Sequence, residues 1–312
     1  MAGRQVTDLR MGFGLPVSGS WATPANLAEI ATRAEELGYD SVWTFQRLLH
    51  PAEGDWGASY RSVQDPLISL AYAAALTERV RLGVAVVNAP FYAPIVLAKQ
   101  LTTLDQICAG RLDVGLGLGW AAEEFTAVGA PTERRGARLA EFVQCLQAIW
   151  ADNPVQFAGE FYQVPAALVD PKPVQRPHPP ILLGGGADRA LRRAGRLADG
   201  WISASRHDLR KIGADIALIK DAAVAAGRDP ERLRFIVRAV VKLSDQPDER
   251  PDRRPLHGNA AQIRKDLQNL HEQGVSEAFV DLNFDPTIGS PTADPDQAMA
   301  RAHQALAEFA PD

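Results

Sequence analysis

The sequence predicts an α/β protein, a parallel eight-stranded (β/α)8 TIM barrel with insertions. Short apolar runs alternate with segments whose apolar residues fall three and four apart. The alternation recurs eight times, and helical segments repeatedly open on a capping residue followed by proline. Such alternation gives a parallel sheet with crossover helices, and eight units close a barrel. An open doubly wound sheet is the alternative. It ordinarily carries a glycine-rich dinucleotide turn after its first strand, whereas Gly12-Phe13-Gly14 lies within the strand here.

The first strand is read at residues 11–15, and its helix opens at Thr23-Pro24. The threonine oxygen accepts from free backbone N–H groups, and proline lacks a donor where none is needed. Leu27, Ile30, Ala31, Ala34 and Leu37 share one face, and Gly38 closes the helix. A second strand at 41–45 leads through a long loop to a helix opened by Asp65-Pro66. The third strand, 81–87, feeds a helix begun near Pro94, and the fourth, 112–118, precedes a helix at 135–150. Residues 152–180 are rich in proline, which lacks the N–H a central strand needs, and read as an irregular insertion. The pattern resumes with strands at 181–183, 200–203, 233–243 and 278–283 and helices at 188–198, 209–226, 260–273 and 294–309. The charged, proline-rich stretch 244–258 is expected to be a mobile loop, and residues 1–312 a single domain.

The chain has 312 residues, with 33 Lys plus Arg against 38 Asp plus Glu and a net charge of -5. This balance offers no cationic footprint for phosphate backbones, so nucleic acid is not an expected partner. No apolar run reaches the ~18 residues of a membrane span, and the first ten residues lack the apolar core of a leader, which makes the cytoplasm the expected location. Cys108 and Cys145 sit in apolar helical patterns without metal-ligand spacing and are expected to be buried free thiols.

In a barrel of this kind the chemistry sits in the loops after the C-terminal ends of the strands. The fifth strand runs into Gly184-Gly185-Gly186-Ala187 and then a helix. Glycines let the backbone approach a ligand, and a helix N-terminus offers free N–H groups to a phosphate; a plain tight turn is the other reading. Gly115, Gly117 and Gly119 would share one face of the fourth strand, leaving room for a flat ligand or packing tightly within the barrel. Trp21, Trp43, Phe45, Trp56, Tyr60, Phe91, Tyr92, Trp120 and Trp201 gather near the same end, with Trp43 and Trp201 able to point outward from their strands. Polar candidates are Gln46, Arg47, His50, Asn88, Glu123, Glu124, Ser203, Ser205, Arg206 and His207. They form no hydrolytic set, no phosphate-binding P-loop and no metal-ligand motif, so no metal is expected.

The order of several short motifs resembles the bacterial luciferase-like monooxygenase superfamily, and within it the coenzyme F420-dependent oxidoreductases. They are Leu37-Gly38-Tyr39-Asp40-Ser41-Val42-Trp43, Ala98-Lys99-Gln100, Leu104-Asp105, Gly110-Arg111-Leu112, Pro171-Lys172-Pro173-Val174-Gln175, Pro179-Pro180-Ile181, the triple glycine, and Ala198-Asp199-Gly200-Trp201. The resemblance implies a barrel with insertions. It also implies a coenzyme phosphate on Gly184, Gly185, Gly186 and Ala187, a ring system over the third strand, and a non-prolyl cis peptide at Ala85-Val86. Phe13, Thr44, Asn88 and Leu118 take positions that lie near the ring in the family.

Many relatives carry an Asp-His pair at the end of the second strand where this chain has Gln46-Arg47. The proton-transfer step associated with that pair therefore does not carry over. Gln46 and Arg47 offer hydrogen bonds and positive charge instead, and Glu123 and Glu124 are the nearest carboxylates. Gln46, Arg47 and Glu123 are accordingly taken as the catalytic candidates.

The expected activity is hydride transfer between coenzyme F420 and a small organic substrate. An FMN-dependent monooxygenase is the alternative, and a coenzyme-binding protein without catalysis is the third reading. A phosphosugar barrel enzyme fits less well, because no glycine cluster precedes a helix after the last two strands. The loops 46–64 and 119–135, rich in Trp and Tyr, suggest an apolar or aromatic substrate. The sequence does not set the oligomeric state; dimers are common in the family it resembles, which leaves a homodimer as one assembly open to the chain.

Overall fold

The structure, a computed structural model, describes residues 9–311. The eight parallel strands close into one barrel in the order β1-β12-β9-β8-β7-β4-β3-β2. They are β1 (Arg10–Gly14), β2 (Ser41–Thr44), β3 (Arg81–Asn88), β4 (Leu112–Gly117), β7 (Ile181–Gly184), β8 (Gly200–Ile202), β9 (Arg234–Val240) and β12 (Glu277–Asp281). Around them run α1 (Pro24–Glu36), α2 (Pro66–Leu76), α3 (Pro94–Ile107), α4 (Ala122–Val128), α5 (Arg135–Trp150), α6 (Asp188–Leu197), α7 (Ile212–Ala225), α8 (Ala260–Glu272) and α9 (Pro295–Glu308). The start signals act as the sequence implies. Thr23 accepts from the Asn26 N–H, Asp65 from Leu67 and Ile68, and Asp294 from Asp296 and Gln297, each before a proline. No helix among the described residues is long and apolar enough to cross a membrane.

Strand parity sorts the side chains into two layers. Trp43, Ala85, Leu182, Ile202, Ile236 and Phe279 fill the barrel interior, with Trp43 stacked on Phe279 at 5.1 Å. Their neighbours in sequence, such as Val42, Trp201 and Val237, join the larger core between sheet and helices. Neither Trp43 nor Trp201 reaches solvent.

The N-terminal end of the barrel is closed by polar groups. Arg234 donates to Asp113 at 2.6 Å and to Glu277 at 2.8 Å, and Arg81 donates to Asp113 at 2.7 Å. Ser41 donates to Glu277 at 2.6 Å and accepts from Trp43 Nε1 at 2.7 Å. Arg234, Glu277, Arg81 and Ser41 open their strands and Asp113 is second in its own, so this ring joins five strands and leaves the opposite mouth for ligands.

Two stretches depart from the sequence reading. Within 152–180, β5 (Val155–Ala158) and β6 (Gln163–Ala167) form an antiparallel hairpin rather than irregular chain. Pro165 is tolerated because a two-stranded sheet has only edges. The Glu141 carboxylate holds its turn, accepting from the backbone of Glu160, Phe161 and Tyr162. The stretch 244–258, expected to be mobile, is anchored. β10 (Lys242–Leu243) pairs with β11 (His257–Gly258), and Arg253 grips Asp266 of α8 by two bonds of 2.7 Å.

Candidate active site

The C-terminal mouth holds a small pocket of about 250 Å3. Its floor is β3, where the register against β4 shifts between Val84 and Val87 and the Ala85-Val86 peptide is cis, as the resemblance implies. Two side chains clamp this bulge from either side. Gln46 Oε1 accepts from the Asn88 N–H at 2.8 Å while its Nε2 donates to the Tyr92 hydroxyl at 2.6 Å. Arg238, reaching across from β9, donates to the Ala85 carbonyl. Gly117 lets the bulge pack closely against β4, since a Cβ there would meet Val86 Cγ2 at 2.5 Å.

Eight of the thirteen residues expected at the site line this pocket: Gln46, Arg47, Ala85, Val86, Asn88, Leu118, Gly184 and Gly185. Gly186 and Ala187 stand just beyond its rim. Phe13 and Thr44 are misplaced by the expectation. Gly12 and Trp43 point into the barrel, so by parity Phe13 turns outward onto the edge of Tyr39 and Thr44 outward to the Pro66 carbonyl. Glu123 is misplaced as well, being exposed on α4, while its neighbour Glu124 is fully buried beside Arg47. Gly119 lies past the end of β4 with φ of 69°, so the three glycines of that segment do not share one strand face.

Arg47 Nε approaches Glu124 Oε1 to 3.2 Å, and both side chains are at least 95% buried, with residual exposures of 5% and 0%. Glu124 Oε1 also accepts from the Leu48 N–H at 2.7 Å. The guanidinium is surrounded by the rings of Trp56, Tyr60 and Trp120 at 4.8 to 5.5 Å. Arg47 Nε and Nη1 and Glu124 Oε2 lack aligned hydrogen-bond partners. Burial lowers the Arg47 pKa, and Glu124 and Tyr60 pull it back upward.

Arg238 is the principal residue sequence reasoning missed. It lies 3.4 Å from Asp281, is surrounded by Phe45, Phe279 and Phe284, and is lowered in pKa by burial against the opposing pull of Asp281 and Tyr60. The available signal was the second arginine of Arg-Phe-Ile-Val-Arg-Ala-Val, mid-strand and two positions after the inward Ile236.

The loop from β7 to α6 has the features of an anion cradle. Gly185 has φ of 124°, a region that favours glycine, and a Cβ there would meet Ala190 Cβ at 2.8 Å. Trp201 Nε1 donates to the Gly185 carbonyl at 2.8 Å, and no side chain caps α6. The first N–H groups of a helix have no partner within it, so the cradle is available to a phosphate. His207 stands beside it. Its Nε2 is 2.8 Å from Asp215 Oδ2, and a Cβ on Gly186 would lie 3.1 Å from its Nδ1. The glycine loop, the uncapped helix and the pocket lined by the β3 bulge together fit a ring coenzyme with a phosphate tail.

Residues 9–307 match the model of the luciferase-like monooxygenase family. An uncharacterized protein of Mycobacterium tuberculosis is 35% identical over 233 residues, 71% of this chain and 80% of that protein. An F420-dependent glucose-6-phosphate dehydrogenase of Kineococcus radiotolerans is 30% identical over 240 residues, 75% of this chain and 69% of the relative. An FMNH(2)-dependent dimethylsulfone monooxygenase of Pseudomonas putida is 34% identical over 178 residues, 56% of this chain and 48% of that enzyme. The closed barrel, the bulge in β3 and a match along almost the whole chain agree, and the protein belongs to the luciferase-like monooxygenase family.

Proposed function

We propose that the protein is an oxidoreductase that uses coenzyme F420 to exchange a hydride with a small organic substrate. The observation that carries this reading is the glycine cradle at the uncapped start of α6, contiguous with a pocket floored by the β3 bulge. When bound, the coenzyme supplies the hydride chemistry, and the chain supplies position and a dry enclosure. Gly184, Gly185, Gly186 and Ala187 would hold the phosphate, with His207 alongside. Gln46 and Arg238 keep the bulge in place beneath the ring site. Phe45, Leu118 and Ile202 exclude water, and Arg47 and Arg238 place positive charge at the pocket wall. The exposed Glu123 has no part in this reading.

The dehydrogenase relative, aligned over 75% of the chain, supports the deazaflavin, while the monooxygenase relative, aligned over 56%, makes FMN with oxygen the second reading. Titration of the purified protein with F420 and with FMN separates them. Saturable F420 binding without oxygen uptake is the expected result. FMN binding with substrate-dependent oxygen uptake would replace it with the second reading, and binding of either coenzyme without turnover would favour a carrier.

A further inference from the structure

Beside the small pocket lies a polar cleft of about 800 Å3 that shares Tyr60, Ala204, Ser205 and Arg238 with it. Its walls come from the loops after β2, β8, β9 and β12, and no residue of β3, β4 or their loops contributes. The cleft therefore lies across the mouth from the β3 and β4 bed proposed for the coenzyme ring and borders the phosphate cradle at His207.

Its charge runs against the acidic sign of the whole chain. Arg206, Arg210, Arg238, Arg253 and Arg254 line it against only Asp208 and Asp252. Three of these arginines are paired, Arg210 with Asp208, Arg253 with Asp266 and Arg238 with Asp281. Among the described residues, Arg206 bonds only the Trp56 carbonyl, at 3.3 Å, and Arg254 has no carboxylate partner. The local field shows in His257, whose pKa is lowered by burial and then by the charges of Lys242 and Arg254. Unpaired guanidinium groups in a concave wall bind phosphate and carboxylate oxygens.

We propose that this cleft seats the anionic end of the substrate, an organic phosphate or carboxylate whose uncharged, reacting end enters the small apolar pocket. This rests on the reading of the mouth as a coenzyme and substrate site, but the first measurement needs no coenzyme. The full chain is titrated calorimetrically with citrate and with pyrophosphate at low salt, as wild type, as Arg206→Ala/Arg254→Ala and as Gly185→Val. Both arginines are exposed, so their replacement leaves the core intact. Saturable anion binding is expected, weakened about tenfold or more in the double arginine variant and retained in Gly185→Val, which closes the cradle instead. Coenzyme affinity of the double variant should match wild type.

Anion binding that does not saturate, or that the arginine pair leaves unchanged, would overturn the proposal. So would a double variant whose main loss is in F420 affinity, because the cleft would then belong to the coenzyme. Wild-type protein that binds citrate through this pair but neither coenzyme would instead remove the proposed function and leave the anion site standing.

Discussion

Arg47 and Glu124 meet at 3.2 Å in a buried position where each retains an atom without a hydrogen-bond partner. The pair joins the loop after β2 to α4, so it fixes one wall of the small pocket. Removing one member of a buried pair leaves the other charge uncompensated, which costs about 3–5 kcal/mol. Glu124→Leu is therefore expected to lower the unfolding free energy by about that amount in urea titrations. Arg47→Met/Glu124→Leu should recover most of the loss, since neither charge then remains buried. Equal losses in the single and double variants would show that packing, not charge pairing, holds this wall.

Gln46 bonds both Asn88 and Tyr92, which gives it a positioning role. Gln46→Leu removes both bonds and should weaken coenzyme binding about tenfold. Gln46→Glu keeps the acceptor for the Asn88 N–H. Burial raises the Tyr92 pKa, as does Asp65, so its hydroxyl stays protonated and can donate to the new carboxylate. The glutamate variant should therefore bind coenzyme more tightly than the leucine variant; the reverse order, read by fluorescence titration, would refute the clamp.

At the cradle, Asp215 orients His207 from behind, and Nδ1 faces the glycine loop. His207→Ala should weaken coenzyme binding about tenfold, the loss of one charge-assisted hydrogen bond. Asp215→Asn should have a smaller effect in the same direction. Weakening for F420 and FMN but not for a coenzyme fragment without phosphate would place the histidine at the phosphate.

The barrel was legible because its signals are local: Thr23-Pro24, Asp65-Pro66 and the alternating periods each sit within a few residues. The cradle was legible for the same reason. Errors arose where the phase of an element decides the outcome. Phe13 and Thr44 followed the resemblance, whereas two-residue parity from Gly12 and Trp43 turns them outward. The helix carrying Glu123 and Glu124 has seven residues, too few to reveal which side packs until Phe125 is seen buried. Arg238 was missed because its partners, the Ala85 carbonyl and Asp281, are distant in sequence. The hairpin in 152–180 was hidden by Pro165, an objection to a central strand but not to an edge.

Cys108 and Cys145 are both buried. Burial pushes the Cys145 thiol up to about 11, with Glu141 adding to the rise, and burial raises Cys108 as well. Only thiolate reacts quickly with disulfide reagents. At pH 8 the native protein should show no rapid reaction with such a reagent, and both thiols should titrate after unfolding. Rapid labelling of folded protein would indicate that α3 or α5 opens locally.

Asp113 closes the opposite end of the barrel. Burial alone would raise its pKa, but Arg234 and Arg81 outweigh burial and hold it below the usual carboxylate range. A carboxyl depressed in the folded state contributes stability that is present above its unfolded value, here 3.8, and is lost as pH falls through the folded value. Asp113→Asn removes that contribution at every pH, leaves Arg81 and Arg234 facing each other, and should cost about 3–5 kcal/mol at neutral pH. Below about pH 4 this carboxyl begins to take up a proton in the unfolded chain while the folded one stays ionised, so the gap between wild type and variant should begin to narrow. Unfolding free energies measured from pH 7 to pH 3 test this directly, because a constant gap across that range would mean that Asp113 acts through shape rather than charge.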